Sequence, residues 1–244
     1  MGKFMNLSRL LLVVLFSCLV FSGQTFGEQL FVDNFEQDDI GAEPSKWRAA
    51  EGVHVAKVIE DPTDSENKVF ETTNRLNGGD AGRHYVIGDE SWTDYLVEWD
   101  WMIFQDGYRG IAFRYQSRDD YYLVDRRLGG TNIQLYSRKS AAWGLIKDGV
   151  YPNEVGVWYR CRIEVMKDSL IFKIKDREDG TPFSEIEPLL EGLDPEFDSG
   201  GVATAGIAYV DNVVVGETED DLALAVQPNS SLSSLWGKIK SYTQ

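Results

Sequence analysis

Cysteine is almost missing from this chain. Its 244 residues contain two, Cys18 and Cys161, and if Cys18 leaves with an N-terminal leader no internal disulfide is possible. Secreted domains of fewer than about 80 residues usually need such staples, but a body spanning residues 28–216 is long enough to bury a core without them. Histidine is equally scarce: His54 and His84 share no ligand spacing with a cysteine, which excludes a zinc site of the usual kind. Positive charge is in short supply, with 24 Lys and Arg against 40 Asp and Glu. An excess of that sign repels nucleic acid and anionic lipid, and no basic patch offsets it. Long apolar runs are absent too. Residues 10–21 form the only extended one, short of the roughly 20 residues that span a bilayer, so no transmembrane segment is expected.

That short run has the marks of a leader. Lys3 and Arg9 precede it, and Thr25 and Gly27 place small residues before a cleavage point at Glu28. The expectation is a signal peptide over 1–27 and a secreted, periplasmic or cell-surface product. Its removal leaves 22 basic and 40 acidic residues, a net charge of −18. An alternative uses Leu15-Phe16-Ser17-Cys18 as a lipid-attachment site. Bulky Phe16, and apolar residues continuing past Cys18, favour ordinary cleavage.

From residue 28 onward, short segments rich in aromatic and β-branched residues recur about every ten residues, separated by Gly, Asn, Asp and Ser clusters, with no helix-period segment between them. This pattern predicts an all-β antiparallel sandwich. The stretch DYLVEWDWMIF, GIAFRYQ, DYYLVDRRL and NIQLYSRK reads as four consecutive strands with apolar residues at period two. Trp99, Trp101, Phe113 and Tyr115 fall on the core phase. So do Cys161, Ile163 and Val165 in the next predicted hairpin, WYRCRIEVM and LIFKIKD around Lys167-Asp168-Ser169, whose Arg160, Arg162 and Glu164 face water. If the four strands share one sheet, their other phase is a polar face. The residues assigned to it are Glu98, Asp100, Arg114, Gln116, Tyr122, Arg126, Gln134 and Tyr136, with Arg114 held between Glu98, Asp100 and Gln116. Aromatic rings and convergent hydrogen-bonding groups of this kind suit a saccharide. A solvated sheet face is the plainer reading, because strand phase alone does not tell front from back.

The blocks FVDNFE, WTDYLVEWDW, GIAFRYQSRDDYYLV, IQLY, VWYRCRIEV and AGIAYVDNVVV, in that order over about residues 28–216, resemble the concanavalin A-like lectin/glucanase jelly roll. Within it they are most similar to laminin G-like and 3-keto-disaccharide hydrolase-type bacterial domains. The resemblance implies the fold and leaves three functions open: a glycan-binding or adhesion module, a hydrolase of oxidised disaccharides, or a structural surface protein. In the glucanase branch a catalytic strand carries two acidic residues two apart and a Glu three further on. Glu98 and Asp100 match the first two positions, but Ile103 stands at the third, so the acid/base is missing and an ion pair with Arg114 is the preferred reading. Related sandwiches hold calcium between their terminal strands. Asp33 and Asp211 are the residues that would do so here, a polar strand-end turn being the alternative; no other cofactor is implied. Residues 217–244 read as an acidic and polar linker followed by a short amphipathic helix over Leu232, Leu235, Trp236 and Ile239, suited to docking on protein.

Overall fold

In the computed structural model, residues 29–50, 56–72, 84–104, 109–126, 131–152 and 154–222 are described; the expected leader and the expected amphipathic C-terminal helix lie outside them. The strands run in order β1 (Gln29–Asp33), β2 (Arg48–Ala49), β3 (Lys57–Asp61), β4 (Asp64–Glu71), β5 (Tyr85–Ile87), β6 (Tyr95–Met102), β7 (Arg109–Ser117) and β8 (Asp120–Arg126). They continue with β9 (Asn132–Lys139), β10 (Ala142–Val150), β11 (Trp158–Met166), β12 (Ser169–Asp176), β13 (Leu190–Leu193), β14 (Gly201–Gly206) and β15 (Tyr209–Gly216). Two single 3₁₀ turns, Phe183–Glu185 and Glu219–Leu222, complete the described elements.

These strands form two antiparallel sheets packed face to face, the jelly-roll sandwich of the concanavalin A-like type. Sheet A has the order β13-β12-β11-β6-β15-β4-β3 with β1 pairing β15; sheet B has the order β10-β9-β8-β7-β14-β5-β2. The first and last strands meet as the opening and closing blocks predict, with Phe31 opposite Val215 and Asp33 opposite Val213. Period two places Tyr95, Val97, Trp99 and Trp101 of β6 and Cys161, Ile163 and Val165 of β11 in the inter-sheet core, against Ile111, Phe113, Tyr122 and Val124 of sheet B. The hairpin at 158–176 forms in the expected register, Ile163 opposite Phe172.

The four strands between 95 and 138 do not share a sheet. The first, β6, lies at the centre of sheet A between β11 and β15, whereas β7, β8 and β9 run side by side in sheet B. Alternation records which side of a strand is apolar and is blind to a chain that crosses from one sheet to the other. A second departure follows from the backbone. Arg114 adopts φ 45° and the β7–β8 register shifts between Phe113 and Ser117. This bulge reverses the phase, so Tyr115 is buried with Tyr121, Leu123, Ala112, Ala203 and Val86 on the outer side of sheet B, away from the main core. A third concerns the acidic segment after Gly216, read as the start of a linker: it packs on sheet A as far as Leu222, which joins Leu96 and Val214.

Candidate functional site

The eight residues assigned to one polar face separate into four places. Arg114, Tyr122 and Arg126 are buried on the inner side. The Arg114 guanidinium donates to the carbonyls of Phe197 (2.6 Å) and Thr93 (3.2 and 3.3 Å), and its backbone N–H donates to the Tyr95 hydroxyl at 2.7 Å. Gly200, at φ +142°, passes so close that a Cβ there would lie 2.4 Å from the Arg114 carbonyl carbon. Arg114 therefore fastens the 197–200 segment to the bulge and does not meet Glu98 or Asp100. The Tyr122 hydroxyl donates to Asp194 and accepts from the Phe197 N–H, while Arg126 stacks over Trp101 and Tyr159 inside the sandwich. Gln116 is exposed at its strand end, bonded to the Ser199 carbonyl.

Glu98 and Asp100 lie on the outer face of sheet A, where their partners are Arg160 and Arg162 of the neighbouring strand β11 in place of the expected Arg114. Arg160 donates to Glu98 Oε2 (2.9 Å) and Asp100 Oδ1 (3.1 Å), and Arg162 to Glu98 Oε1 (2.8 Å). The remaining Asp100 oxygen accepts from Asn212 Nδ2 at 2.8 Å. All four carboxylate oxygens are thus engaged by fixed donors, an arrangement suited to an ion-pair network and not to proton transfer. Arg160 and Arg162 are also less exposed than expected: Glu98, Asp100 and the Asn212 carbonyl enclose Arg160, and Phe183 and Glu219 cover Arg162. Beside them Asp211 accepts from Asn67, Asn212 Nδ2 and the Asn212 N–H, and burial pushes its pKa up to about 7.

The two carboxylates read as calcium ligands face opposite ways. Asp33 turns inward with Val213 and accepts from the Trp47 indole (3.0 Å) and the Phe35 N–H (3.2 Å); Asp211 turns outward beside Asp100. A bulge at Asn212 (φ 48°) separates them. Among the described residues, no group of three or more His, Cys, Asp or Glu is placed to hold an ion.

Gln134 and Tyr136, the last of the eight, lie on the outer face of sheet B, where pairing brings together an aromatic corner that the sequence reading missed. Tyr121 and Trp143 both lie opposite Arg138, and Tyr136 lies between Leu123 and Leu145. The Trp143 indole packs edge-on against Tyr136 (centroids 5.7 Å apart, planes at 73°) and Tyr121 (6.0 Å, 82°). The Arg138 guanidinium sits 4.7 Å from its ring centre and is itself anchored to the Arg118 carbonyl and the Asp119 carboxylate. The Tyr136 hydroxyl donates to Gln134 at 2.8 Å. Trp143 nevertheless keeps 44% of its surface open, and Leu145 56%. Strand β10 supplies both through a two-residue turn in which Ser140 (φ 47°) and Ala141 (φ 68°) are left-handed, the geometry of a type I′ hairpin. The turn is held by Asp119 and Asp120. Asn-Gly, the usual signature of such a turn, is absent, so the sequence gives no sign of it.

No family model and no curated protein matches the chain. Solved structures do match. One is a protein of unknown function with a galectin-like fold from Bacillus subtilis: 14% identity, TM-score 0.55, covering 78% of this chain and 96% of that one. Another is domain 4 of an extracellular arabinanase from Geobacillus stearothermophilus, in complex with arabinotriose: 12% identity, TM-score 0.53, covering 80% and 97%. At such identities the likeness is one of fold. Among the described residues no helix is long and apolar enough to cross a membrane.

Proposed function

We propose that this protein is a secreted glycan-binding module whose ligand lies on the outer face of sheet B at the β8–β10 corner. The observation that carries this reading is Trp143, an indole left 44% exposed yet held in place by two tyrosines and an arginine. A rigid ring that is open to solvent costs little entropy to engage and offers an apolar face to a sugar ring. Gln134, Tyr136 and the exposed Asp148, which lies opposite Gln134, supply donors and acceptors for hydroxyls. The leader read from the sequence over 1–27 is what supports export in this proposal. The hydrolase reading gains nothing from Glu98 and Asp100, whose oxygens are all occupied.

The test is a glycan array followed by calorimetry, with arabinotriose as the first defined ligand because a protein of like fold is known with it. Trp143→Ala is expected to weaken binding by about 2 kcal/mol, the scale of a central aromatic anchor, or roughly thirtyfold in Kd. The melting temperature should hardly move, since so exposed a side chain carries little of the core. Equal affinity of the two proteins for the array's best ligand would remove this corner from the argument, and no ligand at all would favour a structural role.

A further inference from the structure

The opposite face of the sandwich carries a second feature, independent of the β8–β10 corner. Basic residues are outnumbered in this chain, yet Arg160, Arg162, Lys173, Lys175 and Arg177 gather on β11, β12 and the residue just after it. Four of them line an open cavity of about 420 Å³, within the range of about 300–1,000 Å³ typical of small-ligand sites. Its walls are β6, β11, the 177–183 segment and the turn that carries Glu219.

The pairing in this cavity is uneven. Glu98 and Asp100 are built into the sheet and hold Arg160 and one side of Arg162. Among the described residues Lys175 bonds the carbonyls of Asp179 and Thr181, with the exposed Asp179 carboxylate nearby, and lies over the Phe183 ring. Arg177 reaches Asp61 only at 3.8 Å, and its other carboxylate partner, Glu178, is 90% exposed. The outer edge of the Arg162 fork is taken by Glu219, both of whose oxygens face it end-on. Glu219 comes from the turn after the last strand, and its side chain is 59% exposed. A two-point guanidinium–carboxylate pair is the geometry by which arginine recognises a carboxylate in a ligand.

We propose that this cavity is a second binding site, for a carboxylate-bearing sugar of the uronic-acid class, and that Glu219 occupies the carboxylate position in the unliganded protein. An incoming carboxylate would replace Glu219 on Arg162 and come under the field of Lys175 and Arg177. The rest of the lining consists of charged groups, Gly180, Thr181 and Pro182, with Phe183 the single aromatic and already covered by Arg162 and Lys175. Such a surface matches a hydroxyl-rich ring better than peptide side chains seeking apolar cover.

Calorimetry of the full chain with trigalacturonate, arabinotriose and a tetraglutamate peptide tests the proposal, using wild type, Glu219→Gln and Arg177→Gln, each checked for an unchanged melting temperature. Glu219→Gln should bind trigalacturonate up to about fivefold more tightly, the reach of an exposed ion pair. Arg177→Gln should bind it about threefold or more weakly, and neither change should alter arabinotriose binding. The proposal is overturned if trigalacturonate binds neither wild type nor Glu219→Gln at millimolar concentration. It is also overturned if Glu219→Gln brings no gain, or if tetraglutamate binds as well as the uronate. Because Trp143 lies on the other sheet, Trp143→Ala should leave trigalacturonate binding intact, so failure here and failure at the β8–β10 corner are distinguishable.

Discussion

Arg114 shows how one backbone angle redirects a whole assignment. By alternation it stands between Phe113 and Tyr115 and should point to the polar side, but at φ 45° the phase breaks. The guanidinium then turns to the Phe197 and Thr93 carbonyls, and Tyr115 moves to the outer cluster. A positive φ is normally announced by Gly, Asn or Asp, so no sequence signal marks this bulge. The expectation for Arg114→Ala reverses accordingly. The substitution strips the donor from the buried Phe197 carbonyl and two more from the part-buried Thr93 carbonyl, and the cost should be on the order of 3 kcal/mol. That is close to the approximately 3–5 kcal/mol expected for Phe113→Ala, which empties a fully buried ring site. Urea denaturation of both variants checks this. If Arg114→Ala is wild-type-like while Phe113→Ala is destabilised, the anchoring role is wrong. Of the residues that alternation did place correctly, Phe113 stands just before the β7 bulge, and Trp99, Trp101, Cys161, Ile163 and Val165 lie on β6 and β11, which pair with each other without a register shift.

At the scale of the element, legibility depended on turn chemistry. The 158–176 hairpin was readable because its strands alternate cleanly on either side of a polar turn. Strand β10 was not, because Ser140 and Ala141 close a type I′ turn without Asn-Gly and because AWGLIKDGV does not alternate cleanly. With β10 went Trp143, the residue that best marks the candidate site. Strand β15 makes a different point. Its bulge at Asn212 turns Asp211 outward, beside Asp100 of β6 and Asn67 of β4, and near Asp61 of β3 and Arg177. Burial raises the Asp211 pKa to about 7, against an unfolded value near 4. The sign follows directly. Below about pH 4 the group is protonated in both states and its contribution is complete. Between about 4 and 7 the unfolded chain has released a proton that the folded chain retains, so stability falls as pH rises, by at most about 1.4 kcal/mol per pH unit. Denaturant midpoints from pH 4 to 8 should therefore decline in the wild type and decline less in Asp211→Asn. Parallel curves for the two proteins would show that Asp211 does not keep its proton.

For the molecule as a whole, the sandwich must hold without a disulfide, and Cys161 sits where that claim can be examined. It is fully buried in the inter-sheet core, between strand neighbours facing Trp99 on β6 and Ile174 on β12. Burial pushes its thiol pKa well above the ordinary value, so little nucleophilic thiolate forms at neutral pH. A reagent can reach it only when the two sheets separate, since both flanking strands lie inside sheet A with neighbours on either side. In a Cys18→Ser background, native protein should resist a chromogenic disulfide reagent over hours, and its melting temperature should not respond to reductant. Added denaturant should raise the labelling rate in step with the unfolded fraction measured by tryptophan fluorescence. Labelling that is fast in the native state, or that runs ahead of the fluorescence transition, would mean that β11 opens locally. In that case the central strands of sheet A could not be the rigid support that the outer-face cavity and its arginines require.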